Sequence, residues 1–195
     1  MKKIELPILS SFLDNGYVIE EVKTNYLSGK DELKVARENG GKVIWSTTYI
    51  EGQLEKIISL YVFENPATIT RKTEFFLHEI LQTSFFAYSA KKNLVMKIIE
   101  LERLLEGEAK DDLSKALRKV MDYRNSFAHG SLHYEFGSGC FLSFFSSRPR
   151  KEALDDSYWE TLEGYYSNAS SVLEKMFRSL RRKFKNKSNQ SSEPT

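Results

Sequence analysis

The amino-acid sequence predicts an all-α protein, a helical bundle that carries a small β-hairpin before its last helix. Apolar residues recur at intervals of three and four through most of the chain, which is the spacing of a buried helix face. Glycine and proline are sparse, at 10 and 4 of 195 residues, and this favours long helices over an all-β design. Two aromatic-rich runs on either side of Gly137-Ser138-Gly139 predict the hairpin.

Four helical segments are expected before the hairpin. They cover about residues 31–63, 70–87, 90–105 and 111–129. Gly40-Gly41 predicts a break or bend near the start of the first, and Ser89 predicts a cap on the third. Gly130 predicts a residue in the left-handed conformation directly after the fourth.

Asp155-Asp156-Ser157 predicts the N-terminal cap of a final helix after the hairpin. The expected organisation is one domain with two appendages. Residues 1–30 form an N-terminal segment packed on the domain edge, residues 31–184 form the helical domain, and residues 185–195 form a disordered basic and polar tail.

Composition limits the classes of function. The net charge is only +2, so any affinity for nucleic acid must come from a local patch. The single cysteine, Cys140, excludes an intrachain disulfide and is expected to be a small core or strand residue. Three scattered histidines and one cysteine lack the spacing of metal ligands, so neither a metal nor a cofactor is expected. No signal peptide or membrane span is evident, and we expect a cytoplasmic protein without a membrane partner.

One charged residue interrupts the apolar stripe of the fourth helical segment. The stripe runs through Leu113, Leu117, Val120 and Met121, and Arg124 falls where the spacing calls for another apolar side chain. A guanidinium is costly to bury without partners. Arg124 is therefore expected to face a cleft or a partner chain, or to belong to a satisfied hydrogen-bond network.

The residues that follow Arg124 suggest acid–base chemistry. Asn125 and His129 lie four residues apart, so they share one edge of a helix and the amide can orient the imidazole. Arg124 and His129 point about 140° apart on a straight helix, and they converge only if the helix ends near His129. A titrating histidine beside a cation suits catalysis on a phosphodiester, with the guanidinium bound to the phosphate.

The motif Arg124-Asn125-x-x-x-His129 resembles that of the HEPN superfamily (higher eukaryotes and prokaryotes nucleotide-binding). The resemblance covers about residues 31–184 and includes the order of the helices. It implies a metal-independent endoribonuclease that works as a homodimer, with two copies of the motif facing each other across one composite cleft. Arg124, Asn125 and His129 would then be the catalytic residues, and cleavage by the ribose 2′-hydroxyl would leave a 2′,3′-cyclic phosphate.

The resemblance also implies a setting in a toxin–antitoxin pair or in phage defence, with an antitoxin protein as a partner. A toxin subgroup of the family has a tyrosine two residues after the histidine, whereas this chain has Ser131 there. The rival hypothesis is a non-catalytic homodimeric interaction or regulatory module. In that case Arg124, Asn125 and His129 form a polar network at a helix end.

Further polar residues are candidates for parts of a site. A basic helix end is a candidate strip for RNA-backbone contacts, or else simply complements the helix dipole: Arg178, Arg181, Arg182 and Lys183. His78 is expected to be a structural or surface histidine. His133 lies in the hairpin, and the sequence leaves open whether it faces the motif.

Overall fold

A computed structural model describes residues 1–7, 29–64 and 70–190 of the protein. The helices are α1 (Gly29–Phe63), α2 (Arg71–Phe76), α3 (Tyr88–Glu102), α4 (Gly107–His129) and α5 (Asp156–Gln190), and a π-helical turn, Leu77–Leu81, continues α2. The strands are β1 (Ser131–Glu135), β2 (Gly139–Ser146) and β3 (Arg148–Ala153). The prediction of a mostly helical protein with a small β-element before the last helix is confirmed.

The chain folds as two compact units. The first unit combines residues 1–49 with 119–167, and it contains the start of α1, the end of α4, the whole sheet and the start of α5. The second unit combines residues 50–118 with those from 168 onward. No helix in the described ranges is both long enough and apolar enough to span a membrane.

The first unit closes its core around Tyr166 of α5. The Tyr166 hydroxyl lies 2.7 Å from the Thr47 hydroxyl and donates to the backbone carbonyls of Val43 and Val120 at 3.3 and 3.2 Å. One buried phenol therefore joins α1, α4 and α5. Burial raises the pKa of Tyr166, so the group is a neutral donor at ordinary pH.

The N-terminal residues add an extended segment to the first unit. Ile4 and Leu6 are buried, and the Ile4 amide donates to Asn39 Oδ1 at 3.3 Å. Asn39 Nδ2 in turn donates to the Lys2 carbonyl at 3.0 Å, and Lys42 Nζ donates to the Ile4 carbonyl at 2.9 Å. Residues 1–7 thus pack against α1, while the rest of the predicted N-terminal segment, residues 8–28, lies outside the described residues.

The second unit buries an ionic cluster between α1 and α3. Only 4% of the Lys91 side chain is exposed, and its ammonium donates to Glu51 at 2.5 Å and to Glu55 at 2.6 Å. Burial on its own would lower the pKa of Lys91, but the hydrogen bonds to the two carboxylates outweigh it and the pKa is raised. Gln82 adds a hydrogen bond to Glu55 at 3.2 Å.

Several predicted helix boundaries were wrong. Helix α1 runs without a break through Gly40-Gly41, and α3 begins at Tyr88, so Ser89 lies inside it and Ala87 is the cap. The segment predicted for 70–87 ends as a helix at Leu81. Helix α5 continues to Gln190, so residues 185–190 are helical rather than part of the predicted tail, and residues 191–195 lie outside the described residues.

The predicted hairpin is present, but it belongs to a three-stranded sheet in the order β1-β2-β3. Leu132 pairs with Leu142, and Phe144 pairs with Arg150 on the third strand, which was not predicted. That strand is Arg-Pro-Arg-Lys-Glu-Ala, which reads as a polar loop because it holds a proline and no apolar alternation. Proline and basic residues are typical of edge strands, where a chain pairs on one side only.

Candidate functional site

Helix α4, the motif helix that carries Arg124, Asn125 and His129, is anchored by Phe127. Its ring stacks on the buried Trp159 at a centroid distance of 5.7 Å and an interplanar angle of 25°. Gly40 makes room for it, since a Cβ at that position would lie 2.9 Å from Phe127 Cδ1. The glycine expected to break α1 instead allows the close approach of α4.

Gly130 ends the motif helix by a similar close contact. A Cβ at Gly130 would lie 2.3 Å from the Ser126 carbonyl oxygen and 2.8 Å from Leu142 Cδ1. Its φ is negative, so the predicted left-handed conformation is wrong. Gly130 is required because the chain turns against β2 immediately after His129, and no side chain fits there.

Arg124 lies half-buried on α4. Its Nη1 donates to Asn125 Oδ1 at 3.0 Å. Within the described ranges no carboxylate pairs with this guanidinium. The contact turns the amide oxygen of Asn125 toward Arg124 and leaves the Nδ2 donor for another partner.

Asn125 and His129 are exposed and line one groove of about 370 Å³. Lys119, Asp122 and Tyr123 extend the same wall along α4. Arg124 is not part of the lining. The structure therefore joins Arg124 to Asn125 by a hydrogen bond and places Asn125 and His129 on one groove, but it does not bring Arg124 and His129 of one chain together.

The facing wall of the groove is formed by the sheet. Phe144 and Phe145 come from β2, and Arg150 and Glu152 come from β3. Phe144 and Phe145 belong to the predicted hairpin but were not expected in the site, and Arg150 and Glu152 lie on the third strand, which was not predicted. The signal that could have found them is the basic run Arg148-Pro149-Arg150-Lys151 directly after an aromatic strand.

Tyr123 sets part of the electrostatics of the groove. Burial, with smaller contributions from Tyr165, Glu152 and Asp122, raises the pKa of Tyr123 to about 12. The phenol is therefore protonated near neutral pH and serves as a hydrogen-bonding group rather than as a base. The carboxylates that act on this phenol belong to both walls of the groove.

The remaining histidines lie elsewhere. His133 stacks on Phe141 with ring centroids 5.9 Å apart, and its Nε2 lies 3.6 Å from Glu135. Those residues share the face of the sheet opposite Leu132 and Leu142, so His133 does not face the groove. His78, on the π-helical turn, is exposed and bonds to Gln82 at 2.8 Å. Cys140 is buried in β2, as expected, and burial raises the pKa of its thiol.

The four predicted RNA-contact residues of α5 belong to the second unit. Arg178 pairs with Glu174, and Lys183 pairs with Glu102. Arg181 and Arg182 are exposed. Ion pairing thus occupies two of the four cations proposed to contact RNA.

Among the residues that the structure describes, no three side chains of the metal-ligating types cluster together. Comparisons with protein-family models, with curated proteins and with solved structures found no match to this chain.

Proposed function

We propose that the protein is a metal-independent endoribonuclease of HEPN type that acts as a homodimer. The observation that supports it is the arrangement at the end of α4, where Asn125 and His129 line one groove and Arg124 holds the Asn125 amide. An imidazole beside a neutral amide donor is a suitable proton carrier. The Arg124 guanidinium, which has no carboxylate partner among the described residues, is a suitable ligand for a phosphate.

The reaction proposed is transesterification within RNA. The ribose 2′-oxygen attacks the adjacent phosphorus, the bond from phosphorus to the 5′-oxygen breaks, and the products are a 2′,3′-cyclic phosphate and a 5′-hydroxyl. One proton leaves the 2′-hydroxyl and one reaches the departing 5′-oxygen, so the step balances without a water molecule as reactant. His129 moves a proton, and Arg124 stabilises the charge that develops on the phosphoryl oxygens.

A second copy of the chain supplies what one chain lacks. Residues five apart on a helix point about 140° from each other, and Arg124 does not line the groove that holds His129. Two motifs facing across a two-fold axis would present the arginine of one copy to the histidine of the other. The proposal therefore includes a composite cleft.

The biological setting proposed is that of a cytoplasmic toxin or phage-defence effector controlled by an antitoxin protein. It follows from the resemblance of the motif alone. Ser131 occupies the position of the tyrosine found in one toxin subgroup, so control through that tyrosine is not part of the proposal.

Purified protein incubated with RNA tests the proposal. We expect cleavage that persists in EDTA, products that end in a 2′,3′-cyclic phosphate, and no cleavage of DNA, which lacks the attacking hydroxyl. Arg124→Ala and His129→Ala should each abolish the activity. His133→Ala is the matched control, because that imidazole lies on the other face of the sheet. Cleavage that survives His129→Ala, or that needs a divalent ion, would contradict the proposal.

A non-catalytic interaction module is the second candidate, and one observation favours it. Large apolar side chains are exposed on both units, among them Trp45 at 63% and Phe85 at 95%. Exposed aromatic residues of this size are typical of protein-binding surfaces. Wild-type protein that dimerises but leaves RNA intact would support this candidate instead.

A further inference from the structure

The groove beside His129 presents two cations that the proposed chemistry does not use. Lys119 lies on the α4 wall and Arg150 on the β3 wall. Neither has a carboxylate partner within the described part of the chain. A guanidinium left unpaired at the rim of a groove is available for a bidentate contact with a phosphate.

The same groove holds two carboxylates, Asp122 and Glu152, which are also without an ion-pair partner among the described residues. The fixed charges therefore cancel, with two positive and two negative side chains. Because the charges cancel, the groove has room for one phosphate of a chain, and the neighbouring phosphates would lie outside it, away from the two carboxylates. It suits a ligand that combines one phosphate with hydrogen-bond donors.

The order of charges along β3 orients such a ligand. Arg150 and Glu152 are two residues apart, so they share one face of the strand. Glu152 pairs with the buried Leu142, whereas Arg150 pairs with the half-buried Phe144. Glu152 itself is half-buried and Arg150 is exposed, so the carboxylate lies deeper than the guanidinium and the donor end of a ligand would enter before its phosphate.

An aromatic side chain completes the groove. Phe144 is half-buried and shares its face of the sheet with Arg150 and Glu152, whereas the neighbouring Phe145 points to the other face. Aromatic rings of this kind stack on nucleobases of any sequence. The volume of about 370 Å³ is at the small end of the range for ligand sites, which is about 300–1,000 Å³.

We propose that this groove binds one nucleotide of single-stranded RNA and selects a base that carries an exocyclic amino group. Arg150 binds the phosphate, and Glu152 accepts a hydrogen bond from the amino group, as carboxylates do from the N4 amine of cytosine. Uracil presents an acceptor at that position and is disfavoured by the carboxylate. The choice of RNA as the ligand rests on the proposed ribonuclease function.

Fluorescence anisotropy with labelled oligo(C) and oligo(U) tests the inference. Both RNAs carry 2′-O-methyl groups, which remove the attacking hydroxyl and prevent cleavage. Wild-type protein should bind oligo(C) at least about fivefold more tightly than oligo(U). Glu152→Gln should reduce this preference to less than about twofold, since an amide both donates and accepts.

Arg150→Gln should weaken both oligonucleotides alike and lower the slope of log affinity against log salt by about one. Lys151→Gln is the matched control, because it removes the same charge from the next residue on the opposite face, where Lys151 pairs with Glu135. It should leave the affinity, the preference and the salt slope unchanged. Circular dichroism of each variant confirms the fold.

Equal affinity of the wild type for both oligonucleotides would overturn the inference, and so would equal effects of Arg150→Gln and Lys151→Gln. Free cytidine monophosphate that competes as well as oligo(C) would overturn RNA as the ligand. The expected binding pattern without any cleavage of ordinary RNA would support the inference that the groove binds RNA and contradict the proposed ribonuclease function. RNA cleavage that needs His129, together with RNA binding that Arg150→Gln and Glu152→Gln leave unchanged, would support the ribonuclease function and contradict the inference about the groove.

Discussion

At the scale of single residues, a substitution of Arg124 can distinguish a catalytic role of this side chain from a structural one. Its only described side-chain partner is Asn125, which is exposed and can exchange that bond for water. Arg124→Met should therefore abolish RNA cleavage and change the free energy of unfolding by less than about 1 kcal/mol. Urea denaturation beside a cleavage assay measures both effects.

Arg118→Met is the control for Arg124→Met, because Arg118 is an exposed arginine on the same helix. It should leave activity and stability unchanged. A strongly destabilised Arg124→Met protein, in a chain whose wild type cleaves no RNA, would favour the interaction module.

Lys91 is the residue on which a charge change should cost most stability. Lys91→Met leaves the buried Glu55 carboxylate without its ammonium, and breaking a buried pair in this way costs about 3–5 kcal/mol. Adding Glu55→Gln should restore much of the loss, because the stranded charge is then gone. Lys92→Met, one residue on, is the control and should cost less than about 1 kcal/mol. The urea midpoints of the wild type, the two single variants and the double variant measure these differences. A double variant no more stable than Lys91→Met would show that the unpaired Glu55 carboxylate is not the cause of the loss.

At the scale of elements, the two adjacent glycines of α1 should respond in opposite ways. A Cβ at Gly41 meets nothing within 4 Å, so Gly41→Ala should raise the free energy of unfolding by about 0.5–1 kcal/mol. A Cβ at Gly40 would collide with Phe127, whose ring is held by Trp159. Gly40→Ala should therefore lower stability, and it should also impair cleavage by shifting the motif helix. Thermal unfolding of both variants measures the difference, and equal stabilisation would show that Phe127 moves freely.

The sequence reveals those elements whose own periodicity or chemistry defines them. The α4 stripe through Leu113 and Leu117 and the Asp155 cap of α5 are local signals, and the cap is present, with Asp155 Oδ1 accepting from the Tyr158 amide at 2.7 Å. The predictions for Gly40 and Gly130 were wrong because Gly40 makes room for the Phe127 ring, and Gly130 fits between the Ser126 carbonyl of its own helix and Leu142 of β2. Tertiary contact overrode local propensity at both positions.

Only one wall of the candidate site could be predicted from the sequence, because the other wall depends on contacts between distant parts of the chain. Asn125 and His129 share a helix edge by spacing alone, and the structure places both in one groove. The opposite wall depends on β3, which exists only because β2 supplies its hydrogen-bond partners. An edge strand with proline and charges carries no period of its own, so Arg150 and Glu152 became recognisable only after folding.

At the scale of the whole molecule, both units should lose stability at alkaline pH. Burial raises the pKa of Tyr123, Tyr158 and Tyr166 in the first unit, and the pKa of Lys91 in the second is raised as well. A group whose folded pKa exceeds its unfolded value contributes stability that is full below the unfolded pKa and is lost as the pH rises through the folded pKa. Unfolded tyrosine and lysine titrate near about 10 to 10.5, so the loss should begin there.

Urea denaturation at intervals between pH 8 and 11.5 measures this decline. Tyr166→Phe should make it shallower, because one of the displaced titrations is removed. Tyr61→Phe, which removes a half-buried phenol that acts on none of these groups, is the control and should not alter the slope. A free energy of unfolding that stays constant through this range would contradict the assignment of these groups as buried and neutral or paired.

The proposed homodimer can be tested by mixing two inactive variants and measuring whether they complement each other. Sedimentation at micromolar concentration should give twice the mass of one chain. Arg124→Ala and His129→Ala proteins should each be inactive alone, because each homodimer lacks one of the two groups. Mixed and allowed to exchange, they form heterodimers in which one copy supplies the arginine and the other the histidine, and RNA cleavage should return.

Recovery of activity in the mixture requires that the two groups act across the interface, since no chain in it carries both. A double variant, Arg124→Ala with His129→Ala, mixed with wild-type protein is the control, because its heterodimers hold both groups on the same chain. An active dimer whose two single variants fail to complement each other would place Arg124 and His129 of one chain at the same phosphate. The turn at Gly130 would then have to let His129 swing out of its groove toward Arg124, against the separation seen in the structure. A strict monomer would remove the composite cleft while leaving the helical fold and the groove beside β3 in place.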